Sequence, residues 1–165
     1  MSRLRLAIDQ IVFARNYTIE LLDQTSTEEW FRMPAGGVSH IGWQVSHLTF
    51  AEYRLALWRL RGRRAEDALL FPPQFEQLFG VESVPEPDPA KNPSPTEIRA
   101  TLDRVHDQVL RELAALNEDD LDQTVPHPSP FAKTKVAALL WCSHHEMLHA
   151  GQIGLLRRLL GHPPL

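Results

Sequence analysis

At 165 residues the chain is long enough to bury a core as one domain, residues 1–165, without disulfides or a structural metal as a staple, so any metal it holds is free to be functional. A net charge of −4 gives no general attraction to phosphate backbones, and the basic run RLRGRR at 59–64 reads as a solvated helix end, which excludes nucleic acid as an expected partner. No apolar run approaches the ~20 residues of a membrane span, no leader pattern opens the chain, and the lone Cys142 rules out an intrachain disulfide, so a cytoplasmic protein without membrane contact is expected.

Four stretches carry helical periodicity. The first runs from about Ser2 to Gln24, with Leu4, Ile8, Ile11, Ala14, Thr18, Leu21 and Leu22 forming an apolar stripe. Ser39 is the expected N-cap of the second, which carries Trp43, Val45, His47, Leu48, Ala51, Leu55 and Trp58 and stops near Gly62. Between Gly62 and Pro95 lies a long connection rich in proline, and its LLFPPQFEQLF patch predicts a crossover packed down by Phe71, Phe75 and Phe79.

Pro95 in SPTEIRATL opens the third helix, and Ile98, Leu102, Val105, Val109, Leu113 and Leu116 continue its 3.6-residue period. The segment NEDDLDQTVPHPSPF breaks the chain before a fourth helix over roughly Lys133 to Leu160, closed by Gly161 as its C′ residue. No stretch shows strand alternation. The expected fold is therefore all-α, a four-helix bundle with a long crossover between helices 2 and 3, which lets those two helices run parallel.

The fourth helix holds HHEMLHAGQI at 144–153, and within it the pattern H-E-x-x-H: His145, Glu146, His149. Two imidazoles four residues apart project from one helical face and can grip one ion. That face also holds Ala138, Cys142, Gln152, Leu156 and Leu160, the core stripe, whereas His144 is rotated away and Glu146 lies to the side. A single core histidine is usually satisfied by hydrogen bonds, but two of them one turn apart each need a donor and an acceptor away from water. A shared metal would satisfy one nitrogen of each and leave the other for a supporting partner.

On the second helix His47 sits among Trp43, Phe50 and Ala51, and three histidines from two helices would then meet inside the bundle. His40 shares its stripe but lies about 10 Å away along the axis, too far to join them. His106, His127 and His162 read as exposed, and Cys142, one turn from His145, could ligate, though a small buried hydrophobe is the commoner role for a lone cysteine.

The pattern does not make a zinc protease. Such helices need a third ligand downstream, a glutamate some twenty residues on or the last histidine of H-E-x-x-H-x-x-G-x-x-H. Only sixteen residues follow His149, none is glutamate, and Gln152 and Leu155 stand where that glycine and histidine belong.

Two segments, IGWQVSHLTFAEY and HEMLHAGQIGLLRRLLG, resemble instead the DinB-like (YfiT-like) metal-binding four-helix bundles, over nearly the whole chain. The resemblance implies a metal triad of His47, His145 and His149, with zinc or nickel as the ion, and a reaction that in the best-understood members resembles thiol-dependent transfer or isomerisation with a low-molecular-weight thiol.

Three neutral histidines leave one or two positions open, as catalytic sites do. A divalent ion there lowers the pKa of water or holds a thiol as thiolate, and the thiol would come from a cosubstrate because no cysteine of the chain is placed to serve. Gln152 is the candidate for supporting a ligand or contacting substrate, and Glu52 and Glu146 are general-base candidates whose simpler reading is a solvated or structural carboxylate. Trp43 and Tyr53 are candidates for the pocket wall. The expected function is thus a metal-dependent S-transferase, isomerase or hydrolase acting on a small molecule as a homodimer, the alternative being a non-catalytic metal-binding stress or sensor protein.

Overall fold

Ser2 opens the first helix by accepting a hydrogen bond from the Arg5 N–H at 3.2 Å in the computed structural model, which describes residues 2–165. This helix, α1 (Arg3–Asp23), buries Ala7, Ile11, Ala14, Thr18, Leu21 and Leu22 at helical spacing. The next, α2 (residues 41–61), begins with Ile41–Glu52, passes through a π-helical stretch, Tyr53–Trp58, and ends in the turn Arg59–Arg61. Its cap is His40 rather than Ser39. The His40 Nδ1 accepts from the Trp43 N–H at 3.0 Å, while the Ser39 Oγ accepts from the Gln44 amide. Almost every residue of Ile41–Glu52 is buried, so α2 is the central element. At its start Gly42 lets the chain pass Phe31, whose ring lies 2.7 Å from where a Cβ would be.

The crossover that follows contains two short helices, α3 (Asp67–Leu70) and α4 (Pro73–Phe79), the latter started by Pro73 in its first turn. Phe71, Phe75 and Phe79 are all buried, with successive ring centroids 5.7 and 5.5 Å apart, and they seal the outer face of α2. The basic run beside them is not a solvated end. Arg59 is buried, Arg61 grips Asp67 and Glu112 at 2.8 and 2.6 Å, and Arg63 holds Glu76.

Ser94 and Glu97 form a reciprocal capping box ahead of α5 (Pro95–Ala114), whose buried stripe is Ile98, Thr101, Leu102, Val105, Val109 and Leu113. Between α5 and the last helix the chain forms a hairpin, β1 (Thr124–Ser129) antiparallel to β2 (Ala132–Thr134). This strand pair corrects the all-helical reading of the sequence. Pro126, Pro128 and Pro130 occupy the places where alternation would show. The last helix, α6 (Lys135–Leu159), accordingly starts two residues later than its periodicity suggests, with Thr134 as cap. It ends at Gly161, whose φ of 101° suits a left-handed stop.

Cross-links between helices fix their directions. Arg15 meets Glu146 and Thr25 meets Arg157, so α1 and α6 run parallel. Gln44 meets His149 while Arg15 joins Glu52 to Glu146, so α2 runs against α6. Glu52 meets His106 and Arg61 meets Glu112, so α2 and α5 run parallel, as a long crossover permits. No helix among the described residues is long and apolar enough to cross a membrane.

Candidate metal centre

Antiparallel packing of α2 on α6 puts one histidine of the former against two of the latter. His47, His145 and His149 each offer a ring nitrogen, and these atoms lie within 4.8 Å of one another. Their ring centroids are 4.5 to 5.5 Å apart. His47 and His149 are buried and His145 is half-buried.

Their hydrogen bonds fix which nitrogens are free. His47 donates its Nδ1–H to the Phe79 carbonyl at 2.7 Å, and His149 donates its Nδ1–H to the Gln44 Oε1 at 2.5 Å. Because both acceptors are carbonyl oxygens, Nε2 carries the lone pair in each ring. The Nδ1 of His145 is enclosed with no hydrogen-bond partner. Two free Nε2 lone pairs with a ring nitrogen of His145 close by form a donor set that fits one divalent cation, and carbonyl partners behind the rings are the usual support of such ligands.

Electrostatics favours the ligating form. Burial, and then the neighbouring His47, pushes the His145 pKa down to about 4. Burial, and then His145 and His47, pushes His149 down to about 3. His47 is lowered by burial against the opposing pull of the Phe79 carbonyl. All three are neutral at pH 7, as metal ligation requires.

The aromatic wall is only partly the expected one. Trp43 stacks on His47 at 4.6 Å and 10°, while Trp141, not anticipated, meets His145 edge-on at 6.1 Å and is itself stacked by Phe131. Tyr53 turns away and donates to Asp67 at 3.1 Å. His47 and His145 open onto a cleft of about 360 Å³ that also includes Arg54, Arg59, Phe131 and Trp141. A larger cleft of about 580 Å³ adjoins it through Phe50, Arg54 and Val81 but includes none of the three histidines.

The remaining candidates are placed elsewhere. Gln152 is exposed and lines a separate cleft with Trp43, Gln44 and Leu156; the partner of His149 is Gln44, three residues before His47 on α2. That spacing, one turn from a histidine on the same helix, was a signal available in the sequence. Glu52 is 1 % exposed, and both its oxygens are engaged, one by Arg15 at 2.7 Å and one by His106 at 2.7 Å. Burial opposes its ionisation, but Arg15 and His106 prevail and hold its pKa below the usual carboxylate value. Glu146 is buried and held by Arg15 at 2.8 Å.

Cys142 is enclosed near these carboxylates, and burial followed by their charge raises its thiol pKa well above the usual range, which leaves it inert. His144 is exposed. His106 and His162, expected on the surface, are half-buried and donate to Glu52 and Glu29, whereas His127 is exposed. His40, buried at the cap of α2, donates to the Glu86 carbonyl at 3.0 Å.

No curated protein matches the chain. Among solved structures it is similar to a conserved protein from Enterococcus faecalis, with a TM-score of 0.69 at 19 % identity over 96 % of this chain and 97 % of that one, a likeness of fold. A sequence model of the DinB superfamily matches residues 10–153, which take in α2, α5 and the two histidines of α6. The chain belongs to the DinB superfamily.

Proposed function

We propose that this protein is a metal-dependent enzyme built on a DinB-like four-helix bundle, with His47, His145 and His149 holding one divalent ion, zinc or nickel. The observation that supports it best is the combination of three neutral imidazoles, no fourth histidine, cysteine or carboxylate in the cluster among the described residues, and a cleft beside His47 and His145. A closed structural site has four protein ligands, whereas a catalytic one keeps a position for water or substrate.

A divalent ion bound there supplies Lewis-acid chemistry, which makes a water or a thiol nucleophilic at neutral pH. The chain's own part is orientation and exclusion. The Phe79 carbonyl and Gln44 fix two rings by their Nδ1–H groups. Trp43 and Trp141 wall the rings from bulk water. With Cys142 enclosed and inert, a thiol-dependent reaction draws its thiol from a small cosubstrate. The reaction class is S-transfer or isomerisation with a low-molecular-weight thiol, or hydrolysis. The open cleft favours this over a non-catalytic metal-binding role. We also propose a homodimer, for which Leu148, Leu155 and Leu159, exposed on α6, are the apolar surface a second copy would cover.

The test is turnover. Zinc-loaded and nickel-loaded protein, incubated with a panel of small thiols and electrophiles, should consume thiol or hydrolyse substrate in a reaction abolished in His145→Ala. Protein with one ion per chain and no activity across the panel would favour the non-catalytic alternative.

A further inference from the structure

The cleft in front of His47 and His145 contains two positive charges that no carboxylate neutralises. Arg54 and Arg59 both line it, and neither takes part in an ion pair among the described residues. Arg15 and Arg61, by contrast, each hold two carboxylates, and the buried Arg157 uses Nε on Thr25 and Nη2 on the Gln24 carbonyl. Arg59 is 7 % exposed. Its Nη1 donates to the His127 carbonyl, and its Nε is enclosed without a partner. Burial, and then the charge of Arg54, lowers the pKa of Arg59 from its ordinary value. A buried cation without a counter-charge is destabilising unless something supplies the anion.

The backbone brings the two arginines together. On a regular α-helix, residues five apart are separated by about 140° around the axis and point into different surroundings. Here the π-helical stretch Tyr53–Trp58 lies between them, and the Arg59 N–H bonds to the Arg54 carbonyl, five residues back. One widened turn therefore narrows that separation, and both side chains line the same cleft. Such insertions recur at functional sites. The Arg54 guanidinium lies over the Trp58 ring at 5.6 Å and the Phe50 ring at 6.0 Å, which holds it at the rim. Of the acidic residues nearby, Glu76 is bound by Arg63, and exposed Glu82 pairs with neither arginine.

We infer that this cleft binds a small organic carboxylate, its charged end held by Arg59 and Arg54 and its apolar body against Phe131, Trp141 and Leu55, next to the histidine cluster. A guanidinium edge offers two parallel N–H groups that match the two oxygens of a carboxylate. The lining contains no third cation for the further oxygen of a phosphate. The proposal deepens the enzymatic reading by naming a substrate class, and it rests on that reading only for the reacting group.

The experiment is calorimetric titration with 3-phenylpropionate and its neutral amide, on protein as purified and again after chelator treatment, for wild type, Arg59→Met, Arg59→Lys and Arg54→Met. The acid should bind wild type at least about tenfold tighter than the amide, before and after metal removal, since hydrogen bonds to charged groups contribute on this scale. Arg59→Met should lose that preference about tenfold or more. Arg59→Lys should keep part of it, and Arg54→Met should lose less than Arg59→Met. Arg59→Met should melt no lower than wild type, because removing an unpaired buried charge relieves the fold. Equal binding of acid and amide by wild type would overturn the proposal, as would an acid preference that survives in Arg59→Met or vanishes with the metal. Inorganic phosphate displacing the acid at equal concentration would overturn the carboxylate assignment. Metal content, measured on the same samples, reports separately on the histidine cluster.

Discussion

Replacing Arg15 by methionine should destabilise this protein by about 3–5 kcal/mol, the range for removing one partner of a buried ion pair. Arg15 is 3 % exposed and joins three helices: its Nη2 bonds Glu52 on α2 at 2.7 Å, its Nε bonds Glu146 on α6 at 2.8 Å, and its Nη1 bonds the Leu102 carbonyl of α5 at 3.1 Å. In Arg15→Met, Glu52 still receives the His106 N–H, but Glu146, 3 % exposed, keeps no partner. The loss is not doubled, because a stranded carboxylate takes up a proton instead of staying charged. At this chain length each kcal/mol moves the melting temperature by roughly 2–4 °C, so a fall of about 6–20 °C is expected. Urea unfolding of metal-free protein measures it without the added stabilisation of a bound ion. The triple variant Arg15→Met, Glu52→Met, Glu146→Met should recover most of the loss, since replacing a whole buried ionic group with apolar residues is often neutral or better. An Arg15→Met protein within about 1 kcal/mol of wild type would refute the view that this network pins α2 against α6.

Gln44→Ala should weaken metal affinity by about 10–100-fold while one ion per chain still binds at saturation, as measured by competition with a chelator, because it frees the His149 ring to rotate. Glu146→Gln should lower stability yet keep turnover within about tenfold at full metal occupancy. A fall of ~10²-fold or more would make Glu146 a general base after all. Asp67 accepts from Arg61, Tyr53 and the Arg64 N–H, and although burial opposes its charge these donors depress its pKa. Its contribution is therefore present above the ordinary carboxylate pKa and is lost as pH falls through the lower folded value. Melting temperature should drop below about pH 4 in wild type and fall less over that interval in Asp67→Asn.

The sequence made α1, α5 and α6 legible through their apolar stripes, with Pro95 marking the start of α5, whereas α2, buried on nearly every side, was bounded by Gly62 and its cap fell on His40 instead of Ser39. It also brought out His145 and His149, since two imidazoles one turn apart on a core face are harder to satisfy by hydrogen bonds than one, and His47 as a third histidine among apolar residues of the second helix. The hairpin was hidden by Pro126, Pro128 and Pro130. The π-helical stretch was hidden too, because its register depends on how YRLALW packs and not on any residue type. Without that insertion Arg54 and Arg59 read as unrelated members of a surface charge run. His106 was expected on the surface because a polar residue on a core face is explained only when its partner, here Glu52 on a helix far along the chain, is known.

The central claim is that three histidines from two helices hold one ion. Elemental analysis of protein purified from zinc-supplemented and nickel-supplemented cultures tests it most directly, with His47→Ala and His144→Ala alongside wild type. The account predicts about one divalent ion per chain in wild type and in His144→Ala, and loss of most of it in His47→Ala. Equal metal in wild type and His47→Ala would contradict it.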